Sequence, residues 1–393
     1  MAGVISRGIQ GPIIREGDDI VDIVVKSVYA SEQADGYTLQ NRDVIAVTES
    51  VVARAQGNYV TVDQVAQDIR AKFPAKKLGL VFPILSRNRF SMCLKAIARA
   101  MDEVVVLFSY PNDEVGNPLM VRSAYLKNRY SGVYDFEEAD FVKTFGSPVH
   151  PFTGVNYLDF YREVIESEGA KATFLFSNDC RYIASYCDSI LCCDIHTRNE
   201  TRDVLQSMGK QVLTLADIMN APVDGSGYNL QYGLLGSNKA DDTRVKLFPR
   251  DADVVAEAIG RRLSEATGKR IEAMVYGDGA FKDPVGKIWE LAEPVVSPGY
   301  TAGLEGTPNE LKLKYLADHD FGDLSGTALQ EAITQRIKEK DSTSLVGNMV
   351  SEGTTPRNLT DLIGSLCDLT SGSGDKGTPI IYIQGYFDNY TTE

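Results

Sequence analysis

The spacing of apolar positions changes character twice along the chain, dividing it into three stretches. Over the first 75 residues, DIVDIVVKSVY, RDVIAVTESVVARAQG and TVDQVAQDIRAKF combine strand-like runs, punctuated by glycine, with a helical stretch. In DVIAVTESVVARA a β-rich run passes into helix-compatible residues, with Thr48 and Ser50 near the junction. Small hydroxyl side chains there either cap the helix, their commoner role, or face an anion at its start. From about Lys76 the runs KLGLVFPIL, NRFSMCLKAIARAM, EVVVLFSY, ATFLFSN, SILCCDIH, NETRDVLQSMG and KQVLTLADI alternate strand with helix. That alternation predicts an α/β unit with a parallel sheet over 76–222. In the last third, DADVVAEAIGRRLSEATGKR is an amphipathic helix ending at Gly268, and IEAMVYGDGAF is a strand running into a turn. TALQEAITQRIKEK and NLTDLIGSLCDLT predict two more helices, the second followed by SGSGDKG and the strand TPIIYIQGY.

Composition narrows the function classes. The net charge of −14, from 40 basic and 54 acidic residues, opposes nucleic-acid binding, and no basic run offsets it. No apolar stretch reaches the roughly 18 residues of a membrane helix, and MAGVISRGIQGPIIREGDD lacks the apolar core of a signal peptide. A cytoplasmic protein with reduced thiols is the expectation, because Cys93, Cys180, Cys187, Cys192, Cys193 and Cys367 show no framework spacing.

Candidate chemistry is sparse. LTSGSGDKGTP looks like a phosphate loop but is not one: GxxxxGK[ST] lies between a strand and a helix, whereas here Lys376 precedes Gly377 and a strand follows. Asp278, between two glycines after a strand, suits a hard cation such as Mg²⁺ or Mn²⁺, with Lys282 near to neutralise phosphate and Asp283, Glu290, Glu293 and Glu305 as further carboxylates. A plain turn is the competing reading of Gly-Asp-Gly. Cys192, Cys193, Asp194 and His196 have no second pair at zinc spacing, so buried thiols at a strand end are expected. Arg87 and Arg89 in ILSRNRF stand where an anion could bind at the carboxyl end of a parallel sheet. There is no GxSxG and no HExxH.

Five ordered blocks resemble one family. GIQGPIIREGDDIVDIVVKSV and RDVIAVTESVVARAQG, then YGLLGSNKADDTRVKLFPRDADVVAEAIGRRLSEATGKR, the Asp278 turn and TDLIGSLCDLTSGSGDKGTPIIYIQG are similar to the coenzyme F-420-0:γ-glutamyl ligases. The resemblance implies an α+β ligase-like domain built from both chain ends, 1–75 and 223–393, with an inserted α/β (Rossmann-like) domain at 76–222. It also implies a nucleotide (GTP or ATP) and a divalent metal that join L-glutamate to an acceptor carboxylate through an acyl phosphate, in a homodimer. The acceptor is F-420-0 or another small carboxylate such as a folate. By position, Pro12, Ile13, Ile14, Gly17, Asp18, Ser50 and Arg54 line the nucleotide region, with Lys376 facing it from the glycine-rich loop. Asp278 and Asp361 would be metal-site acids, and Asp278, Lys282 and Asp283 the catalytic group. Two departures stand out: Leu235 replaces the family's metal-binding aspartate before Ser237 and Asn238, and Gly279, Lys282 and Asp283 replace a threonine and paired arginines. Asp283 or Asp251 is the candidate to restore the lost carboxylate. A nucleotide- or metabolite-binding protein without ligase activity is the alternative, and a phosphotransferase built around ILSRNRF a third.

Overall fold

The computed structural model describes residues 3–87, 89–129, 132–277, 280–282, 289–291, 297–340, 345, 348–351, 358–372, 374–389 and 391. The first stretch forms β1 (Ile5–Ile9), α1 (Ile20–Asp35), β2 (Val44–Thr48), α2 (Glu49–Ala55), β3 (Tyr59–Thr61) and α3 (Val62–Lys72). The central stretch forms β4 (Lys77–Val81), α4 (Phe90–Ala100), β5 (Glu103–Phe108), α5 (Arg122–Asn128), β6 (Phe136–Glu137), α6 (Glu138–Phe145), α7 (Tyr157–Ser167), β7 (Lys171–Phe176), β8 (Ser189–Cys192), α8 (Arg198–Ser207) and β9 (Gln211–Thr214). Beyond it lie β10 (Asn238–Lys239), β11 (Arg244–Lys246), α9 (Ala252–Thr267), β12 (Glu272–Tyr276), β13 (Ala280–Lys282), β14 (Trp289–Leu291), β15 (Gly299–Tyr300), α10 (Leu313–Tyr315), α11 (Gly326–Lys338), α12 (Leu359–Ser371) and β16 (Ile380–Gln384). No helix among the described residues is long and apolar enough to cross a membrane.

The two chain ends share one five-stranded sheet, ordered β1-β16-β2-β12-β15. β2 and β12 are parallel, and β16 runs antiparallel between β1 and β2. Val44 to Val47 are all buried because both faces are covered. Ile45, Val47, Ala273 and Val275 pack with α1 and α9; Val44, Ala46, Met274 and Tyr276 pack with α12. DIVDIVVKSVY is helical throughout despite its β-branched residues. Asp19 accepts a hydrogen bond from the Asp22 N–H at 3.0 Å, and Ile20, Val24, Val25 and Val28 fall on one buried face.

Residues 77–214 supply a six-stranded sheet, ordered β6-β7-β5-β4-β8-β9, in which only β6 is antiparallel. Its parallel strands run third, second, first, fourth, fifth in chain order, which puts the point where winding reverses between β4 and β8. A third, three-stranded sheet joins β3 to β10 and β11.

Candidate functional site

Three segments distant in sequence meet where β2 and β12 end. Parallel pairing sets Thr48 beside Tyr276, and Ile380 opposite Val47 brings the α12–β16 loop to the same edge. The residues after β1 close the third side: the Gly11 N–H donates to the Gly377 carbonyl (3.1 Å). The Thr48 N–H donates to the Pro379 carbonyl (3.0 Å), and the Thr378 hydroxyl to the Ser371 carbonyl (2.8 Å). Together they enclose a cavity of about 420 Å³, lined by Gly11–Ile14, Thr48, Ser50, Val51, Arg54, Tyr276 and Asp368, and by Ser371, Gly372, Gly374, Gly377, Thr378 and Pro379 of the α12–β16 loop.

The cavity is chemically two-sided. Pro12 and Ile13 are exposed on its rim, Ile13 at 83%, an apolar surface suited to a flat ring. Ser50 and Arg54 stand exposed on α2, and the glycine-rich loop adds closely approaching backbone. Gly372, at φ 66°, takes a left-handed conformation that favours glycine, and Lys376 folds its flexible side chain back across it, Nζ lying 2.7 Å from where a Cβ would stand. Lys376 therefore lies over a lining residue and is not itself among the lining residues. Thr48 takes the N-cap position of α2 but makes no side-chain cap hydrogen bond, so the plain-cap reading does not describe it; it lines the cavity.

Other expected site residues fall elsewhere. Gly17 and Asp18 build the turn before α1: the Gly17 N–H donates to the Ala55 carbonyl (2.8 Å), and the Asp18 carboxylate accepts the Arg15 N–H (2.6 Å). Asp361 is in the first turn of α12, whereas Ser371 at its far end lines the cavity, roughly 15 Å away along the axis at 1.5 Å per residue. Asp278 and Asp283 lie outside the described residues; Lys282 ends the strand β13. Leu235 is 3% exposed and packs in the core with Leu234, Val245 and Leu247. Among the described residues no group of three or more His, Cys, Asp or Glu could hold a metal ion, so they do not by themselves fit the metal the family resemblance implies. Cys192 and Cys193 are fully buried, and burial pushes both thiols far above their ordinary range, as expected for inert core residues.

At the carboxyl edge of the central sheet, where Arg87 and Arg89 suggested an anion site, the protein supplies its own carboxylates. Glu114 accepts the N–H groups of Ile195, His196 and Thr197 (2.6–3.1 Å) after β8. Its neighbour Asp113 accepts the Leu85 N–H (2.8 Å) after β4, together with donors from Val115 and Asn117. The adjacent pair thus straps both sides of the reversal point. Burial pushes Asp113 up to about 6, opposed by the hydrogen bonds it accepts from Asn117, Leu85 and Val115. The raised value means folding favours the protonated form. Its contribution to stability is complete below the ordinary 3.8 and declines as pH rises through 6. The span amounts to about 3 kcal/mol. Carboxyl-labelled aspartate NMR should find an aspartate with a midpoint near 6 whose signal disappears in Asp113→Asn; if every aspartate titrates below ~5, this account of the strap is wrong.

Sequence reasoning brought Pro12, Ile13, Ile14, Ser50 and Arg54 to a common region, and the fold places all five on one cavity wall. Tyr276, Asp368 and Thr378 were missed, although each lies within a quoted stretch. No curated protein matches the chain. The profile described as F420-0:Gamma-glutamyl ligase matches residues 8–385, a span running from within β1 to just past β16 and taking in the central sheet. With nearly the whole chain matched, this protein belongs to the F420-0:γ-glutamyl ligase family.

Proposed function

We propose that the chain is an amide-forming ligase that joins L-glutamate to an acceptor carboxylate, F420-0 or a related small molecule, using GTP or ATP bound in the 420 Å³ cavity. The observation supporting this reading is the convergence of the GPII segment, the β2–α2 junction and the glycine-rich loop on one concave site with an apolar rim and a cationic, hydroxyl-bearing wall. Pro12 and Ile13 pack against the base. Arg54 neutralises phosphate charge, and the Ser50 hydroxyl donates to a phosphate oxygen. The terminal phosphoryl group passes to an oxygen of the acceptor carboxylate and the nucleoside diphosphate leaves. The glutamate amine then attacks the activated carbonyl carbon, gives up a proton and expels phosphate. Catalysis of this kind is mainly positioning and charge stabilisation. Asp278 would hold a divalent metal, Mg²⁺ or Mn²⁺, which would supply further charge neutralisation on the phosphates.

Arg54→Ala is expected to weaken nucleotide binding on the order of tenfold and flatten its salt dependence, because an exposed cation on a phosphate contributes about 1–2 kcal/mol. Isothermal titration at two ionic strengths reads both effects; unchanged affinity would remove Arg54 from the site. The ligase reading itself is tested by nucleoside diphosphate release with L-glutamate and F420-0 or folate, products identified by mass spectrometry. An acceptor gaining one glutamate mass establishes it. Nucleotide binding without turnover favours the second reading, a binding protein that has lost the reaction, for which the burial of Leu235 in place of a carboxylate speaks.

A further inference from the structure

A second cavity, of about 440 Å³, opens at the same edge of the terminal sheet, on its α9 side. Gly299 forms part of its wall and is the register partner of Val275. One residue further on, Tyr276 lines the first cavity. The two cavities therefore flank the end of β12. Gly299 is indispensable to this arrangement: a Cβ there would lie 2.2 Å from the carbonyl carbon of Ala252, so only glycine lets β15 meet the first turn of α9.

The wall is aromatic and held in place. Tyr228, Tyr232 and Tyr300 line it, with Leu230 at 80% exposure beside them. Tyr232 sits edge-on to Phe248 with centroids 5.6 Å apart, and the Arg250 guanidinium lies over the Tyr228 ring at 5.6 Å. Two buried asparagines fix the segment that carries the tyrosines. Asn229 accepts the N–H groups of Gln231 (3.0 Å) and Tyr232 (2.8 Å) and donates to the Pro249 carbonyl (3.0 Å). Asn58 donates to the carbonyls of Tyr228 (3.0 Å) and Phe248 (2.6 Å), and accepts the Tyr228 N–H (3.0 Å) and Arg250 Nη1 (2.7 Å). Such support is what a preorganised binding wall requires.

The first cavity sets one cation, Arg54, against one carboxylate, Asp368, and the second is more acidic. The Arg250 guanidinium is committed to Asn58 and to the Gln56 carbonyl (3.1 Å), while Asp251 and Asp253 add carboxylates to the lining. A triphosphate is disfavoured here and a flat uncharged ring is favoured, since aromatic rings stack on tyrosine faces and fill pockets of this size.

We propose that this second cavity receives the heteroaromatic ring of the acceptor, whose carboxylate reaches across the end of β12 toward the nucleotide. The proposal rests on the ligase reading for the acceptor's identity but not for the measurement that tests it. Tyr300→Ala removes a stacking face. Leu230→Asp, at a position 80% exposed, replaces an apolar residue of the ring-binding wall with a hydrated charge. F420-0 and folate, titrated by fluorescence, are expected to lose affinity on the order of tenfold in each variant, with GTP affinity measured by calorimetry unchanged. Loss of acceptor binding supports the cavity even if no nucleotide is ever turned over, in which case only the ligase reading fails. Turnover with acceptor affinity unchanged in both variants overturns the cavity and leaves the ligase reading standing. A wild-type protein that binds neither probe overturns it as well.

Discussion

Lys246→Ala is expected to lower the unfolding free energy by about 3–5 kcal/mol, the range for removing one partner of a buried ion pair. Lys246, on β11, is 8% exposed and pairs with Glu49, 4% exposed, at the start of α2. Without the lysine the Glu49 carboxylate stays in a low-dielectric site and loses the Lys246 cation, and one tie between the three-stranded sheet and α2 goes with it. Glu49 lies between Thr48 and Ser50, so the change should also weaken nucleotide binding. The double substitution Glu49→Gln with Lys246→Met is expected to regain most of the stability, because neither member then carries a charge. Urea denaturation of the wild type, Glu49→Gln, Lys246→Met and the double variant completes the cycle, with Lys246→Ala measured beside them. A loss under ~1 kcal/mol in Lys246→Ala would mean the pair behaves as a surface bridge.

The second large effect concerns the family's missing carboxylate. Leu235→Asp restores the residue type but is expected to cost about 4 kcal/mol and to create no metal site, since it buries a charge in an apolar cluster. Leu235 packs with Leu234 and Leu247, and the turn that carries it is set by its N–H bond to the Tyr232 carbonyl (2.7 Å). Thermal unfolding with metal content by mass spectrometry decides the point. A stable Leu235→Asp variant that takes up one equivalent of Mn²⁺ would show the position to be a site that this chain has merely emptied of its ligand.

Several elements were legible because local signals agreed with the fold. The helix ending at Gly268 and the strand TPIIYIQGY appear where periodicity placed them. SGSGDKGTP is a helix-to-strand loop, with a short 3₁₀ turn at Gly374–Lys376. In DIVDIVVKSVY β-branched composition competes with a helical face, and capping by Asp19 with burial of that face decides for the helix. The position of Asp361 was not legible: a carboxylate near a matched motif says nothing about which end of α12 the cavity meets.

Read alone, the residues establish that this chain alternates strand and helix through its centre and that SGSGDKG is no phosphate loop. These follow from local chemistry: periodicity, capping, and the residues a phosphate-binding turn demands. Only the tertiary structure decided that GPII, Ser50, Arg54 and the last loop share one cavity, that Glu114 and Asp113 strap the central sheet, and that an aromatic cavity lies across the end of β12. Each of those depends on strand order and register, which pair β2 with β12 more than 220 positions away. Such contacts form because buried faces and backbone donors must find partners anywhere in the chain, a condition no short stretch of sequence records.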